Sequence, residues 1–324
     1  MMPVSVMVRQ LSSGIGAISE ICYLRAMFET APTQPPVVIA AFYHFFDFPD
    51  FEAMRMPLYD HLNGLGIKGS LLITAEGVNS TMAGTRAAID SFLGYLQNEL
   101  IGAPVTWKES YADYQPFGKL RVRLKKETIG IGEPVSMKRF GQYVEPKDWN
   151  ALITRNDVVI IDTRNDYEVN LGTFEKAIDP DIPNFKHLPQ WTRDNAEMLK
   201  GRKVATFCTG GIRCEKYTSW LIDQGIEDVY HLKGGILQYF EDVPVEQSLW
   251  QGECFVFDER IAVDHHLQPS QTAVLCLHCD HALTAEDQRQ PSYIKGISCP
   301  HCEGDARHAH DRSPTQKRPG RVKF

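Results

Sequence analysis

The stretch Lys203 to Lys216 reads KVATFCTGGIRCEK and sets a thiol, two glycines and a guanidinium in one short segment. Val204 to Phe207 is an apolar run with the pattern of a buried parallel strand, and Cys214 to Gln224 has helical spacing. Cys208 therefore lies on a strand-loop-helix turn. Loop N–H groups and the positive end of the following helix converge on the centre of such a turn. Gly210 and Gly211 can both take positive φ, which turns successive N–H groups inward as an anion-binding nest. Arg213 adds a permanent charge. Together these favour the thiolate of Cys208, the nucleophilic form. Cys208 and Arg213 are expected to carry catalysis, with Thr209, Gly210, Gly211 and Ile212 completing the loop. Cys214 either packs beneath the loop or acts as a resolving thiol for an oxidised Cys208.

A second group of thiols has different chemistry. Cys276, Cys279, Cys299 and Cys302 form two CxxC turns, C-x2-C-x19-C-x2-C. Each turn presents two sulfurs to one centre, and two turns close a tetrahedron, the geometry of a structural zinc site. His278 and His301 lie inside the turns, but four thiolates already complete the shell. Such a zinc would hold together a segment too short to build its own core. A third candidate is the strand FGKLRVRLKK at 117–126, where Lys119, Arg121 and Arg123 alternate with Leu120, Val122 and Leu124. The alternation puts three cations on one face. With Tyr111, Tyr114 and Phe117 nearby, that face suits phosphates and unstacked bases, an RNA-binding surface.

The elements that must position these residues are legible in order. The chain has 324 residues, 43% hydrophobic and 23% charged, enough for two or three domains with cores of their own. A net charge of −7 argues against a uniformly basic coat and leaves room for a local basic face. Of the eight cysteines, four fall in the CxxC pairs and two flank the loop, the usage of a reducing compartment. With no stretch long enough for a membrane span and no secretory leader, a cytoplasmic protein is expected. Residues 1–36 are an N-terminal extension, with a short amphipathic helix possible over 15–28. From Val37 to Tyr111 the order is βαββαβ: strands at 37–46, 69–74, 78–83 and 105–111, and helices at 50–65 and 85–100. Pro57 should kink or restart the first helix, and Thr85 caps the second. Glu76-Gly77-Val78-Asn79 sits between two strands and reads as a hairpin turn or a substrate contact. A ferredoxin-like or acylphosphatase-like domain over 37–126 follows. Residues 139–245 alternate strands and helices, which argues for an α/β domain with a parallel sheet, and open α/β sheets place ligands at strand carboxyl ends. The segment 246–303 carries the zinc-binding pairs, and 304–324 reads as a disordered basic tail.

The loop CTGGIR resembles the active-site loop of rhodanese domains. Cysteine phosphatases space the two residues as C-x5-R to hold a tetrahedral phosphate, whereas Cys208 and Arg213 are C-x4-R, a tighter cradle suited to one persulfide sulfur. Asp162-Thr-Arg164, Glu168, Gly172 and Ala177 resemble the opening of the same domain, where the Asp and Arg brace loops. Taken in order, EGVN at 76, CTGGIRCEK at 208, LKGGILQYF at 232 and GECFVFDERIAV at 252 resemble the bacterial tRNA uridine hydroxylase family. That resemblance implies oxygen-dependent conversion of wobble uridine 34 to 5-hydroxyuridine, with molecular oxygen as co-substrate, tRNA bound through its anticodon region, and Cys208 as the rhodanese-type cysteine. No haem, flavin or non-haem iron motif is evident. A general rhodanese sulfurtransferase or persulfide carrier is the alternative, and the oligomeric state is open.

Overall fold

The computed structural model describes residues 37–258 and 260–303; the expected helix at 15–28, the extension 1–36 and the basic tail 304–324 lie outside the described residues. Among the described residues no helix is long and apolar enough to cross a membrane.

The first layer is the expected βαββαβ unit: β1 (Val37–Phe45), α1 (Arg55–Gly64), β2 (Lys68–Thr74), β3 (Gly77–Gly84), α2 (Arg86–Tyr95) and β4 (Trp107–Ala112). Pro57 does not kink α1. The helix begins at Arg55, so the proline falls in the first turn, where no intrahelical N–H is lost. Thr85 caps α2 through its side chain, which accepts the Ala88 N–H at 3.2 Å. A further strand, β5 (Leu120–Leu124), pairs parallel with β2, giving the order β4-β1-β3-β2-β5. Val38, Ala40 and Phe42 pack on Leu58, Leu62, Ile89 and Phe92, so the helices cover one face of this sheet. On its other face, side chains of β1 and β4 bond residues of the second domain.

That face is laid out by register. One row across it runs Tyr43, Asn79, Leu72 and Arg123; the next runs Lys108, Ala41, Thr81, Ser70 and Arg121. Tyr43 and Lys108 leave it for the second domain. There β6 (Gln142–Val144), β7 (Val158–Asp162), β9 (Lys203–Phe207) and β10 (Val229–Leu232) form the expected parallel sheet, in the order β6-β10-β9-β7. All five residues of β7 are buried. Alternate residues of β7 and β9 enter separate cores: Ile160 and Phe207 join Trp149, Phe174 and Trp250, while Ile161 and Val204 join Tyr217, Trp220 and Leu221. Sheets covered on both sides read as unbroken apolar runs for this reason.

Central strand β9 ends at Phe207, one residue before Cys208, and α7 (Ile212–Asp223) begins directly behind the loop. Two short elements complete the frame around it, α4 (Asp166–Val169) after β7 and α8 (Gly235–Asp242) after β10. Downstream, β11 (Trp250–Gly252) pairs with β8 (Gly172–Phe174), and the hairpins of β12 (Cys254–Phe255) with β13 (Ala262–Val263) and of β14 (Val274–Leu275) with β15 (Ala282–Leu283) lead into the cysteine pairs.

Candidate active site

The Cys208 loop has the expected nest, built from one glycine and not two. Gly211 takes φ 100° and starts α7, whereas Gly210 stays outside the positive-φ region. The Gly211 N–H donates to Cys208 Sγ at 3.1 Å, and the Cys214 N–H donates to the same sulfur. From behind, α8 supports the loop, with Ile236 N–H on Cys208 O at 3.0 Å and Leu237 N–H on Thr209 O at 3.2 Å. Gly235 permits that approach, since a Cβ there would lie 2.5 Å from both carbonyl oxygens. The LKGGILQYF run is therefore the back wall of the cysteine loop.

Cys208 is fully buried, which by itself pushes a thiol up. Hydrogen bonding from Cys214, the charge of Arg213 and the two N–H groups outweigh burial and bring the Cys208 pKa down to about 5. The Cys214 thiol is driven the other way, by burial first and then by the adjacent Cys208 charge. Cys214 thus stays a proton donor beneath the loop, also in contact with Thr163 Oγ1 at 3.5 Å.

Arg213 does not extend an unpaired guanidinium into the cradle. Its Nη1 and Nη2 bond Glu168 Oε2 and Oε1 at 2.5 and 2.7 Å, and both side chains are buried. Glu168 is saturated with donors, because Asn165 N–H reaches Oε2 at 3.1 Å and Thr209 Oγ1 reaches Oε1 at 3.4 Å. Asn165 and Glu168 form a reciprocal capping box on α4, which fixes the carboxylate before Arg213 meets it. Beside this pair, Arg164 and Asp162 are fully buried partners, joined at 2.6 Å and sealed by Gly172 O and Thr173.

The first domain closes the site. Tyr43 Oη donates to Glu215 Oε1 at 2.8 Å across the domain boundary. Lys108 bonds Gln238 and Glu241 of α8, the latter at 2.5 Å. Lys216, 1% exposed, bonds Glu76 and Glu127 at 2.7 Å each and Ile129 O at 3.0 Å. The EGVN turn is thus both a hairpin and half of an interdomain clamp: Gly77 sits where a Cβ would meet His44 O at 2.1 Å, and Glu76 faces Lys216.

The Cys276, Cys279, Cys299 and Cys302 sulfurs all lie within 4.8 Å of one another. Neighbouring pairs stand 3.5, 3.6 and 3.9 Å apart. A tetrahedron with Zn–S bonds of about 2.3 Å has edges of about 3.8 Å, so the donor set fits a tetrahedral thiophilic cation. The module carrying it leans on α4. Asn170, at the end of α4, bonds Ala282 O at 3.1 Å and Asp287 Oδ2 at 2.9 Å, and Tyr167 packs on Phe255 and His281.

Comparison with known proteins agrees with this architecture. Residues 37–128 match the UPF0176 acylphosphatase like domain, and residues 145–242 match the rhodanese-like domain. A tRNA uridine(34) hydroxylase from Picosynechococcus sp. is 47% identical over 267 residues, covering 82% of this chain and 89% of that protein. The chain belongs to the tRNA uridine(34) hydroxylase family. Among solved structures, a rhodanese-related protein from Thermoplasma volcanium (20% identity, TM-score 0.25) covers 32% of this chain and 93% of its own. An acylphosphatase from Coxiella burnetii (16% identity, TM-score 0.22) covers 28% and 94%. At such TM-scores the likenesses add nothing to the family assignment.

In this member of the hydroxylase family the expected cationic row is only partly a strand. Arg121 and Arg123 lie on β5, on the sheet face shared with Tyr43, while Lys119 precedes the strand and is exposed. Tyr111 is not beside them. It sits on β4 at the opposite edge of the sheet, with its hydroxyl against Glu109 and Arg86, because β5 crosses over to pair with β2. Cys254 is buried, and burial pushes its thiol up to about 12. The residues that sequence reasoning left without a role are Tyr43, Tyr143, Glu168, Glu215 and Lys216. The capping box was a usable signal for Glu168. No local pattern pointed to Tyr43 or Tyr143.

Proposed function

We propose that this chain hydroxylates uridine 34 of tRNA to 5-hydroxyuridine with molecular oxygen, using Cys208 as its reactive sulfur. The observation that carries the reading is the match to a tRNA uridine(34) hydroxylase along four-fifths of the chain, combined with a Cys208 whose thiolate is held by fixed N–H groups and charge. As thiolate or persulfide, that sulfur adds to C6 of the uracil and makes C5 an enolate carbon that reacts with oxygen. One oxygen atom stays on C5, and the other leaves as water with two electrons from an external reductant. Loss of the C5 proton with expulsion of the sulfur restores the ring. Arg213, braced by Glu168, sets the charge of the loop formed by Thr209, Gly210, Gly211 and Ile212, and Cys214 supplies a hydrogen bond or resolves an oxidised sulfur. Lys119, Arg121 and Arg123 face the RNA. Three strand spacings of about 4.8 Å separate the β5 arginines from the strand of Tyr43, a span of about 14 Å that a splayed anticodon loop covers. Zinc is the cation assigned to Cys276, Cys279, Cys299 and Cys302, where it would fix the fold of 246–303 beside the domains at 37–126 and 139–245. The protein works in the cytoplasm with tRNA as partner.

The reading is tested by nucleoside mass spectrometry of tRNA from cells lacking the gene, complemented with wild type or Cys208→Ser. Loss of 5-hydroxyuridine restored by wild type alone is the expected result. Unchanged 5-hydroxyuridine in the deletion strain would leave a rhodanese sulfurtransferase as the better account. The observation favouring that second reading is the narrow cradle, in which two N–H groups close on a single sulfur.

A further inference from the structure

Cys208 must be reached for its sulfur to react, yet it has no exposed surface. The walls around it differ in how they are held. Behind it, backbone N–H groups of α8 bond the carbonyls of Cys208 and Thr209 at 3.0 and 3.2 Å. Beneath it lie Cys214 and Thr163, in contact at 3.5 Å and both fully buried. To one side the Arg213–Glu168 pair is closed by two bonds of 2.5 and 2.7 Å.

The remaining wall comes from the first domain. Tyr43 Oη stands 2.9 Å from the place where Gly211 would carry a Cβ, and the Gly211 N–H donates to Cys208 Sγ at 3.1 Å. Tyr43 thus rests on the bare side of the glycine that holds the sulfur. The bond that keeps it there is its phenol donating to Glu215 Oε1 at 2.8 Å, and Glu215 is pinned to the same glycine by its N–H on Gly211 O at 3.1 Å.

The backbone of Tyr43 cannot give way, because β1 is paired on both sides, with Asn79 opposite Tyr43 on β3 and Trp107 opposite Phe42 on β4. Lifting the whole domain would break the Lys108–Glu241 pair and both carboxylate bonds of the buried Lys216. Turning one side chain breaks a single hydrogen bond, the smaller cost. Tyr43 shares its row of the sheet face with Asn79, Leu72 and Arg123, so a turn off Gly211 opens a path from that row to the sulfur.

We infer that Tyr43 is a gate over Cys208, latched on Glu215 when shut and turned along its own sheet face when open. The open state uncovers the Gly211 side of the sulfur and leaves the Glu215 carboxyl free to accept from what enters. That the entering group is a uracil rests on the tRNA reading. The gate itself stands before any reagent that must meet the sulfur, a persulfide donor included.

The test uses the full chain and iodoacetamide, a reagent small enough to need only the gate. Carbamidomethylation of Cys208 is timed by peptide mass spectrometry on the pH plateau of each protein, so that thiolate content does not enter the comparison. The rate should rise about tenfold in Tyr43→Phe, which keeps the ring and loses the latch, and about a hundredfold in Tyr43→Ala, which removes the cover. Lys108→Met loosens the domain boundary without touching the latch and should react as the wild type does. Wild-type rates in both Tyr43 variants overturn the inference. So does a rise in Lys108→Met equal to that in Tyr43→Phe, which would mean that the domain lifts. Cys254, also fully buried, marks opening of the whole chain, and its labelling as fast as Cys208 would overturn the gate as well. If Tyr43→Ala does not fold, Tyr43→Phe decides alone. Should the wild type form no 5-hydroxyuridine, the tRNA reading fails while the labelling rates still decide the gate.

Discussion

The chain holds two sulfur centres that solve opposite problems. At Cys208 one thiol is turned into an anion by permanent features of the fold: two backbone N–H groups, the charge of Arg213 and a hydrogen-bonding neighbour. At Cys276, Cys279, Cys299 and Cys302 four thiols crowd together with no such fixed charge, and burial pushes Cys299 up to about 12. The first centre is complete as polypeptide. The second requires a cation to be stable as four thiolates, because the backbone N–H groups that reach Cys276, Cys279 and Cys299 do not offset four like charges within 4.8 Å of one another. Preorganised dipoles leave a nucleophile available; a metal consumes all four.

Each half of that contrast can be broken separately. The largest effect is expected from exchanging one sulfur at each centre. Cys208→Ser should abolish hydroxylation and leave the metal content of purified protein unchanged. Cys299→Ser should remove the metal while the Cys208 thiolate absorbance survives. Metal loss in both, or in neither, would show that the centres are not independent in this way. Next in size is Glu168→Ala, which leaves Arg213 buried without its carboxylate. Breaking a buried pair of this kind costs about 3–5 kcal/mol, and chemical denaturation should show it. A cost under about 1 kcal/mol would mean that Arg213 finds water or another partner. The smallest effect is expected from Gly211→Ala, about 1–3 kcal/mol for a non-glycine residue held at φ 100° with Tyr43 Oη in its way. That substitution should also displace the N–H on Cys208 and raise the pH at which its thiolate forms.

Much of the frame was legible because it is local. β7 and β10 fall where the apolar runs lie, Thr85 caps α2, and the CxxC spacing brings four sulfurs together. Where the reading strayed, non-local pairing decided the matter. Pro57 was harmless because α1 starts late, and Tyr111 left the cationic row because β4 and β5, adjacent in sequence, take opposite edges of the sheet. The candidate site was half visible. Cys208, Arg213 and the glycines announce themselves within one segment, but Tyr43 and Glu215 are 172 residues apart and Lys216 lies 140 from Glu76. Contacts between folded domains leave no period or spacing in the chain.

The Lys216 clamp has a consequence for how such a protein can change over time. Its ammonium is shared by Glu76 from the first domain and Glu127 from the connection, and the next residue back, Glu215, is held by Tyr43. Two adjacent positions of one helix are thus matched to two positions of the first domain and one of the connection. Neither domain can drift in sequence alone. Among relatives, replacement of Lys216 should be found together with loss of an acid at 76 or 127, and replacement of Tyr43 with a change at 215. A chimera that pairs this first domain with an unrelated second domain should lose the cover over its cysteine even if both halves fold.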